Sequence, residues 1–138
     1  MKYFSIAEFL RSDVAEKYQV SNIPSDEELL KVLNNINALV NNVLDPLRAM
    51  IARPIIITSG YRSQRVNELV GGSKTSQHLS GKAADIHVQG YTPQRMDMVY
   101  RTIQMYYDFD QLIFYPSKNI IHVSWNGDKN RQESWVKA

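Results

Sequence analysis

Cysteine is absent from this 138-residue sequence, which also contains neither a long apolar run nor a large excess of one charge. The cysteine-rich four-ligand sites typical of structural zinc are therefore excluded. No segment approaches the apolar length of a membrane-spanning helix, so we expect no membrane insertion. Sixteen Lys+Arg against fourteen Asp+Glu give a net charge of +2, and no basic run is interleaved with aromatics, so we expect no nucleic-acid partner.

The length and composition are those of one globular domain. A chain of 138 residues can bury a core that needs no disulfide and no structural metal. We predict a single domain over residues 1–138 and a monomer, with a core over about 4–125 and a C-terminal tail over 126–138. Any bound metal is then expected to serve function rather than folding.

The first eight residues reach an acidic side chain, Glu8, too early for the apolar region of a secretory signal. No small-residue cleavage site follows. We therefore expect no export signal and a protein that is cytoplasmic as synthesised.

Apolar spacing predicts helices in the N-terminal half. A capping-box pattern, serine followed three residues later by glutamate, predicts a short helix over about 5–11, and Ser12-Asp13 then break or re-cap it. Apolar residues at spacings of three and four predict a helix over about 25–51. Pro46 either kinks this helix or starts a second segment.

The remainder of the chain mixes strand and helix patterns. The two last strands have the pattern of a hairpin, and the polar residues after Gly127 are expected to be loose or a docked tail. We predict an α+β fold in which N-terminal helices pack against a small antiparallel sheet. The further expected elements are strands over 55–58, 83–88, 111–115 and 120–125, helices over 63–70 and 93–106, and a polar loop over 73–80.

His78, Asp85 and His122 are the candidate metal ligands. Catalytic zinc sites use three nitrogen and oxygen ligands and leave one position open, which this set matches. An acid among the apolar residues of a strand is costly unless it is paired or bound to metal. The alternative is that His78 is an exposed loop residue, Asp85 pairs with a lysine and His122 is a satisfied strand histidine.

Strand alternation places the candidate ligands on one side of the sheet. Asp85 shares a face with His87, and His122 shares a face with Ser124, while the opposite faces are apolar. A metal would thus be held above a rigid core. His87 is a spare histidine that could compete for the metal, although a surface or supporting role is expected for it.

The chain carries the motifs Ser59-Gly60-Tyr61-Arg62-Ser63, Val66-Asn67, Val70-Gly71-Gly72-Ser73, Ser76-x-His78-x-x-Gly81-x-Ala83-x-Asp85, Phe109-Asp110-Gln111-Leu112-Ile113 and Ile121-His122-Val123-Ser124-Trp125. Together these motifs resemble the M15 zinc peptidases, which include D-alanyl-D-alanine carboxypeptidases and endolysins that cut peptidoglycan peptides. The resemblance extends from about Phe4 to Trp125 and implies a carboxypeptidase-like, hedgehog-like fold.

The resemblance implies that the three candidate ligands bind Zn²⁺ and that zinc-bound water is the nucleophile. It also implies that Arg62 steadies a carbonyl oxygen or a substrate carboxylate. Without the motif, Arg62 would be expected to cap a turn or pair with a surface acid. Ser76 and Gln77 either line the substrate groove or only shape the loop, and Tyr115 is placed with them as a substrate-binding candidate.

The general base is where the sequence departs from the family. Many members carry an acid three residues before the last histidine, and here that position is Asn119, which cannot accept and return a proton. Asp110 is the nearest acidic candidate, with Asp108 behind it. Both aspartates could instead cap the turn before the hairpin.

The resemblance thus implies a zinc metallopeptidase that acts on peptidoglycan peptides as a carboxypeptidase or an endopeptidase. A protein without an export signal could reach the wall as a phage lysin does, after release from the cell. The alternative is a catalytically impaired zinc-containing module that binds a cell-wall peptide or a protein partner. A third possibility is an interaction domain whose histidines never bind metal.

Overall fold

The computed structural model describes all 138 residues and confirms an α+β fold with one five-stranded sheet. None of its helices combines the length and the apolar character needed to cross a bilayer. The helices are α1 (Ile6–Leu10), α2 (Asp13–Tyr18), α3 (Asp26–Leu39), α4 (Asp45–Ile51), α5 (Gln64–Leu69) and α6 (Pro93–Tyr106). The strands are β1 (Ile55–Ser59), β2 (Ala83–Val88), β3 (Gln111–Tyr115), β4 (Ile120–Ser124) and β5 (Glu133–Val136).

Side-chain caps set the starts of the first two helices. The backbone N–H of Ser5 donates to the Glu8 carboxylate at 2.7 Å, as the capping-box pattern predicts. Ser12 accepts a hydrogen bond from the N–H of Ala15 at 3.1 Å. Ser12 therefore re-caps the chain and starts α2, which is the second of the two alternatives above.

Pro46 starts a second helical segment without breaking the helical path. Between α3 and α4 the chain forms a π-helical turn over Val40–Leu44, in which the N–H of Asp45 donates to the carbonyl of Val40, five residues earlier. Proline has no N–H and tolerates only the first turn of a helix, and Pro46 occupies that position in α4. The wide turn keeps Val40, Val43 and Leu44 in the core.

The sheet is mixed, with strand order β1-β2-β4-β3-β5. The first four strands pair antiparallel, and Asp85 in β2 lies opposite His122 in β4. The fifth strand runs parallel to β3 and lies in the segment expected to be a loose or docked tail. The tail therefore docks as a strand. The sequence did not predict β5, because this segment is polar and is held by main-chain pairing at the edge of the sheet.

The two faces of the sheet have different roles. One face is apolar and packs under the helices, with α6 in contact with β3 and β4. The other face carries Asp85 on β2, His122 on β4 and Tyr115 on β3, as the period-two alternation predicts. The buried residues of the first face are Ala84, Ile86, Val88, Leu112, Phe114, Ile121 and Val123.

The loop before β2 is more ordered than its polar sequence indicates. It contains a 3₁₀ turn over Gln77–Ser80, whereas the sequence predicted a polar loop throughout 73–80. Ser76 caps this turn by accepting from the N–H of His78 at 3.2 Å. The chain leaves the turn at Gly81, which has φ +77° and lies so close to the Val32 carbonyl of α3 that a Cβ would be 2.9 Å from it. The turn fixes the position of His78.

Candidate metal centre

His78, Asp85 and His122 converge from the 3₁₀ turn, β2 and β4, although 44 positions separate the first from the last in the sequence. One ligand atom from each lies within 4.8 Å of the others. Asp85 Oδ1 is 3.3 Å from His78 Nε2 and 3.0 Å from His122 Nδ1. The two imidazole rings meet edge to face, with centroids 5.2 Å apart.

The two distances that Asp85 makes fit a tetrahedral zinc ion. Metal–ligand bonds of about 2.1 Å at tetrahedral angles place neighbouring ligand atoms about 3.4 Å apart. The distances from Asp85 Oδ1 to the two imidazole nitrogens are within a few tenths of an ångström of that value. The set offers three protein ligands of nitrogen and oxygen type, which leaves a fourth position for water or substrate, as in catalytic zinc sites.

The backbone around Gly60 orients the first ligand. His78 Nδ1 lies 2.7 Å from the Gly60 carbonyl and donates to it, which turns Nε2 toward Asp85. The N–H of Arg62 in turn donates to the His78 carbonyl at 3.0 Å. His78 is almost fully buried. Its ring and its backbone are therefore both held by hydrogen bonds before any metal binds.

The Asp85 carboxylate remains ionised. Burial by itself would raise its pKa, but the hydrogen bonds from His122 and His78, together with their charges, outweigh burial and hold the pKa well below its usual range. A carboxylate with a low pKa is available as a metal ligand at any physiological pH.

Arg62 lies at the edge of the three ligands. Its Nη2 is 3.4 Å from Asp85 Oδ2, its Nε donates to Ser59 Oγ at 3.1 Å, and its Nη1 donates to Asn67 Oδ1 at 3.3 Å. Burial lowers the pKa of Arg62, while the negative charge of Asp85 acts in the opposite direction. The guanidinium is thus a positioned cation beside the ligand group, and neither a turn cap nor a partner of a surface acid.

A groove of about 520 Å³ opens over the ligand group. Ser76 and Tyr115 line it together with the three ligands and Arg62. Burial raises the pKa of the Tyr115 phenol, the nearby Asp85 charge raises it further, and Arg62 opposes both. Tyr115 therefore keeps its proton at neutral pH and can donate a hydrogen bond into the groove.

Asp110 and Gln77 lie outside this groove. The Asp110 side chain is fully buried and binds the Arg131 guanidinium through Nε at 2.8 Å and Nη2 at 3.1 Å. It also accepts from the Arg131 N–H at 2.8 Å and from Gln77 Nε2 at 2.7 Å. None of the three ligand-type residues contacts it. The expectation that Asp110 is the general base receives no support from these contacts, and Gln77 shapes the loop.

Asn119, three residues before His122, serves the hairpin turn. Its backbone adopts φ +56°, and its side-chain amide donates to the Tyr91 carbonyl at 2.8 Å. Asparagine is among the residues that tolerate this left-handed conformation best. The Asn119 carbonyl accepts from His87 Nδ1 at 2.9 Å, so the spare histidine braces the turn.

The sequence did not indicate the structural roles of two residues, Asn67 beside Arg62 and Arg131 beside Asp110. Asn67 is buried and links Arg62 to the loop, because its Nδ2 also donates to the Ser73 carbonyl at 2.9 Å. Asn67 belongs to a segment before Gly71 that resembles the M15 peptidases, and nothing else in the sequence indicated a role for it. Arg131 lies in the tail, and no local pattern connects it with Asp110.

A 3₁₀ turn and two strands of this α+β fold bring together two histidines and one aspartate, which can hold a metal in the open arrangement of catalytic sites. The model of the family described as Peptidase M15 matches residues 2–124. The chain belongs to the M15 peptidase family, which places it among zinc metallopeptidases. No curated protein matches the chain significantly.

Proposed function

We propose that the protein hydrolyses peptide bonds of bacterial peptidoglycan, as a carboxypeptidase or an endopeptidase. The observation that carries this proposal is the open His78–Asp85–His122 group at the floor of a groove, with Arg62 beside it. Membership of the M15 family supports peptide bonds as the target. The peptidoglycan substrate rests on the resemblance of the motifs to wall-cutting peptidases.

Zinc held by the three ligands would polarise the scissile carbonyl and lower the pKa of a bound water to about 7. The protein's own side chains supply the rest of the environment. Arg62 is placed to oppose negative charge that develops on the carbonyl oxygen next to Asp85. Tyr115 can donate a hydrogen bond to the substrate from the neighbouring strand. Ser76 also lines the groove and offers a hydroxyl.

A second candidate function is a binding module, and one observation favours it. Asp85 is the only side-chain carboxylate that lines the groove, and it is itself a ligand. Proton transfer from water to the leaving amine then has no obvious carboxylate carrier. A protein of this kind would bind a cell-wall peptide or a protein partner without cleaving it.

Removal of zinc with a chelator distinguishes a peptidase from a binding module. We expect purified protein with stoichiometric zinc to release smaller fragments from muropeptides, detected by mass spectrometry. Removal of zinc with a chelator should stop the release, and added zinc should restore it. The mass that is lost identifies the bond, because loss of one terminal alanine marks a carboxypeptidase and cleavage within a cross-link marks an endopeptidase. Stoichiometric zinc with binding but no cleavage would favour the binding module and contradict the proposal.

A further inference from the structure

The groove over the ligand group has an unbalanced charge. Besides Arg62, two lysines line it, Lys118 in the turn between β3 and β4 and Lys137 just after β5. The only acidic side chain in the lining is Asp85, which is already engaged by Arg62 and the histidines. A zinc ion would add two further positive charges. The side chains that line the groove therefore carry a net positive charge.

Neither lysine has a carboxylate partner in the protein. Both side chains are exposed, and neither takes part in any of the eight ion pairs of the structure. The Lys118 ammonium lies 5.4 Å from the centroid of the Tyr115 ring, so an aromatic face directs it along the groove wall. The two ammonium groups remain available to a ligand.

The sheet separates Lys137 from Arg62. Arg62 contacts Asp85 on β2, whereas the N–H of Lys137 donates to the Phe114 carbonyl of β3 at 2.8 Å, which fixes Lys137 at the β5 side. Strands lie about 4.8 Å apart, so the three steps from β2 to β5 span roughly 14 Å. An extended peptide covers this distance with about four residues.

We propose that the groove binds acidic peptides, that Lys137 holds a carboxylate about four residues away from the peptide segment that lies beside Arg62, and that Lys118 strengthens this attraction from the turn between β3 and β4. The inference rests on the proposed function, because it assumes that the groove is where the peptide binds. It assigns a chemical class to the substrate: an extended peptide with at least one free carboxylate beyond the bond that is cut.

The test compares two synthetic tetrapeptides, one with free side-chain and terminal carboxylates and one with all of them amidated. Binding is measured by titration calorimetry on zinc-free and on zinc-loaded protein. We expect the wild type to prefer the acidic peptide, and we expect Lys118→Gln combined with Lys137→Gln to reduce that preference by about threefold per lysine, since exposed charge pairs contribute this order of affinity. The preference should also weaken as salt is raised.

Two control variants isolate the position of the charge. Lys129→Gln removes the same charge outside the groove and should leave the preference unchanged. Lys118→Arg combined with Lys137→Arg keeps both charges and should retain it. Equal binding of the two peptides to wild type, or an equal effect of Lys129→Gln, would overturn the inference. Cleavage of the amidated peptide in that case would leave the peptidase proposal intact, whereas acid-selective binding without any cleavage would remove the peptidase and keep the inference.

Discussion

Replacing His122 with alanine is expected to abolish stoichiometric zinc binding while the fold survives. Three protein ligands are the minimum for a catalytic zinc site, so the loss of one leaves only two donors. The core of the domain lies on the other face of the sheet and needs no metal. We expect the free energy of unfolding of the zinc-free protein to fall by about 2 kcal/mol, because Asp85 loses its hydrogen bond from His122. Elemental analysis and denaturant unfolding measure the two quantities.

His87 provides the matched control for this experiment. It is two positions from Asp85 on the same strand, but its Nδ1 donates to the Asn119 carbonyl of the hairpin turn. His87→Ala should therefore keep one zinc per chain. Gross unfolding of His122→Ala would show that the metal stabilises the fold, and full zinc content in that variant would show that the ligand assignment is mistaken.

Replacing Asp110 with asparagine is expected to destabilise the protein by about 2 kcal/mol, which corresponds to a fall in Tm of roughly 8 °C. The carboxylate is fully buried and receives hydrogen bonds from Gln77 and from both the backbone and side chain of Arg131. Arg131 is half exposed and can be hydrated when its partner is lost, which keeps the cost below that of a fully buried pair. Calorimetric unfolding measures the loss.

The pH dependence of stability should show that the destabilisation of Asp110→Asn comes from the lost negative charge of Asp110. Arg131, through its side chain and backbone, and Gln77 lower the pKa of Asp110, although burial opposes them. A carboxyl whose pKa is lower in the folded state stabilises the protein above the pKa of the unfolded state, about 3.9, and loses that contribution as the pH falls through the folded pKa. The difference in stability between wild type and Asp110→Asn should therefore be full near pH 7 and shrink below about pH 4.

The same variant separates a structural carboxylate from a general base. If Asp110 supports the fold, Asp110→Asn lowers Tm, and any loss of turnover follows the loss of folded protein. A general base gives the opposite pattern, with unchanged Tm and zinc content and turnover reduced by about 10² or more. Arg131→Gln provides a second measurement, because it should destabilise the protein similarly without altering any candidate base.

The sequence alone predicted the two strands that carry the candidate ligands Asp85 and His122. Apolar and polar residues alternate along β2 and β4, and this alternation alone placed Asp85 and His122 on one face. The start of α2 at Ser12 and the segment after Pro46 were each foreseen as one of two options. Choosing between them required the caps and the π-helical turn, which depend on how α3 packs in the core.

Contacts between segments that lie far apart in the chain could not be predicted from the sequence. Asp110 looked like a free acid because its partner, Arg131, lies in a polar stretch with no strand pattern. Asn119 looked like a defective base, and only its left-handed backbone and its bond to Tyr91 show that it shapes the turn. The structural partners of both residues lie at least 20 positions away, where no local pattern points to them.

The strands β2 and β4 lie in the middle of the sheet, and this position should affect the rate at which a bound metal ion is released. Each of these strands is paired on both sides, so the amide hydrogens around Asp85 and His122 should exchange with solvent only through global opening. His78 instead lies on a short 3₁₀ turn, which can open locally at lower free energy. Release of the ion should therefore begin at His78, and its rate should follow hydrogen exchange in the 77–80 turn rather than unfolding of the sheet.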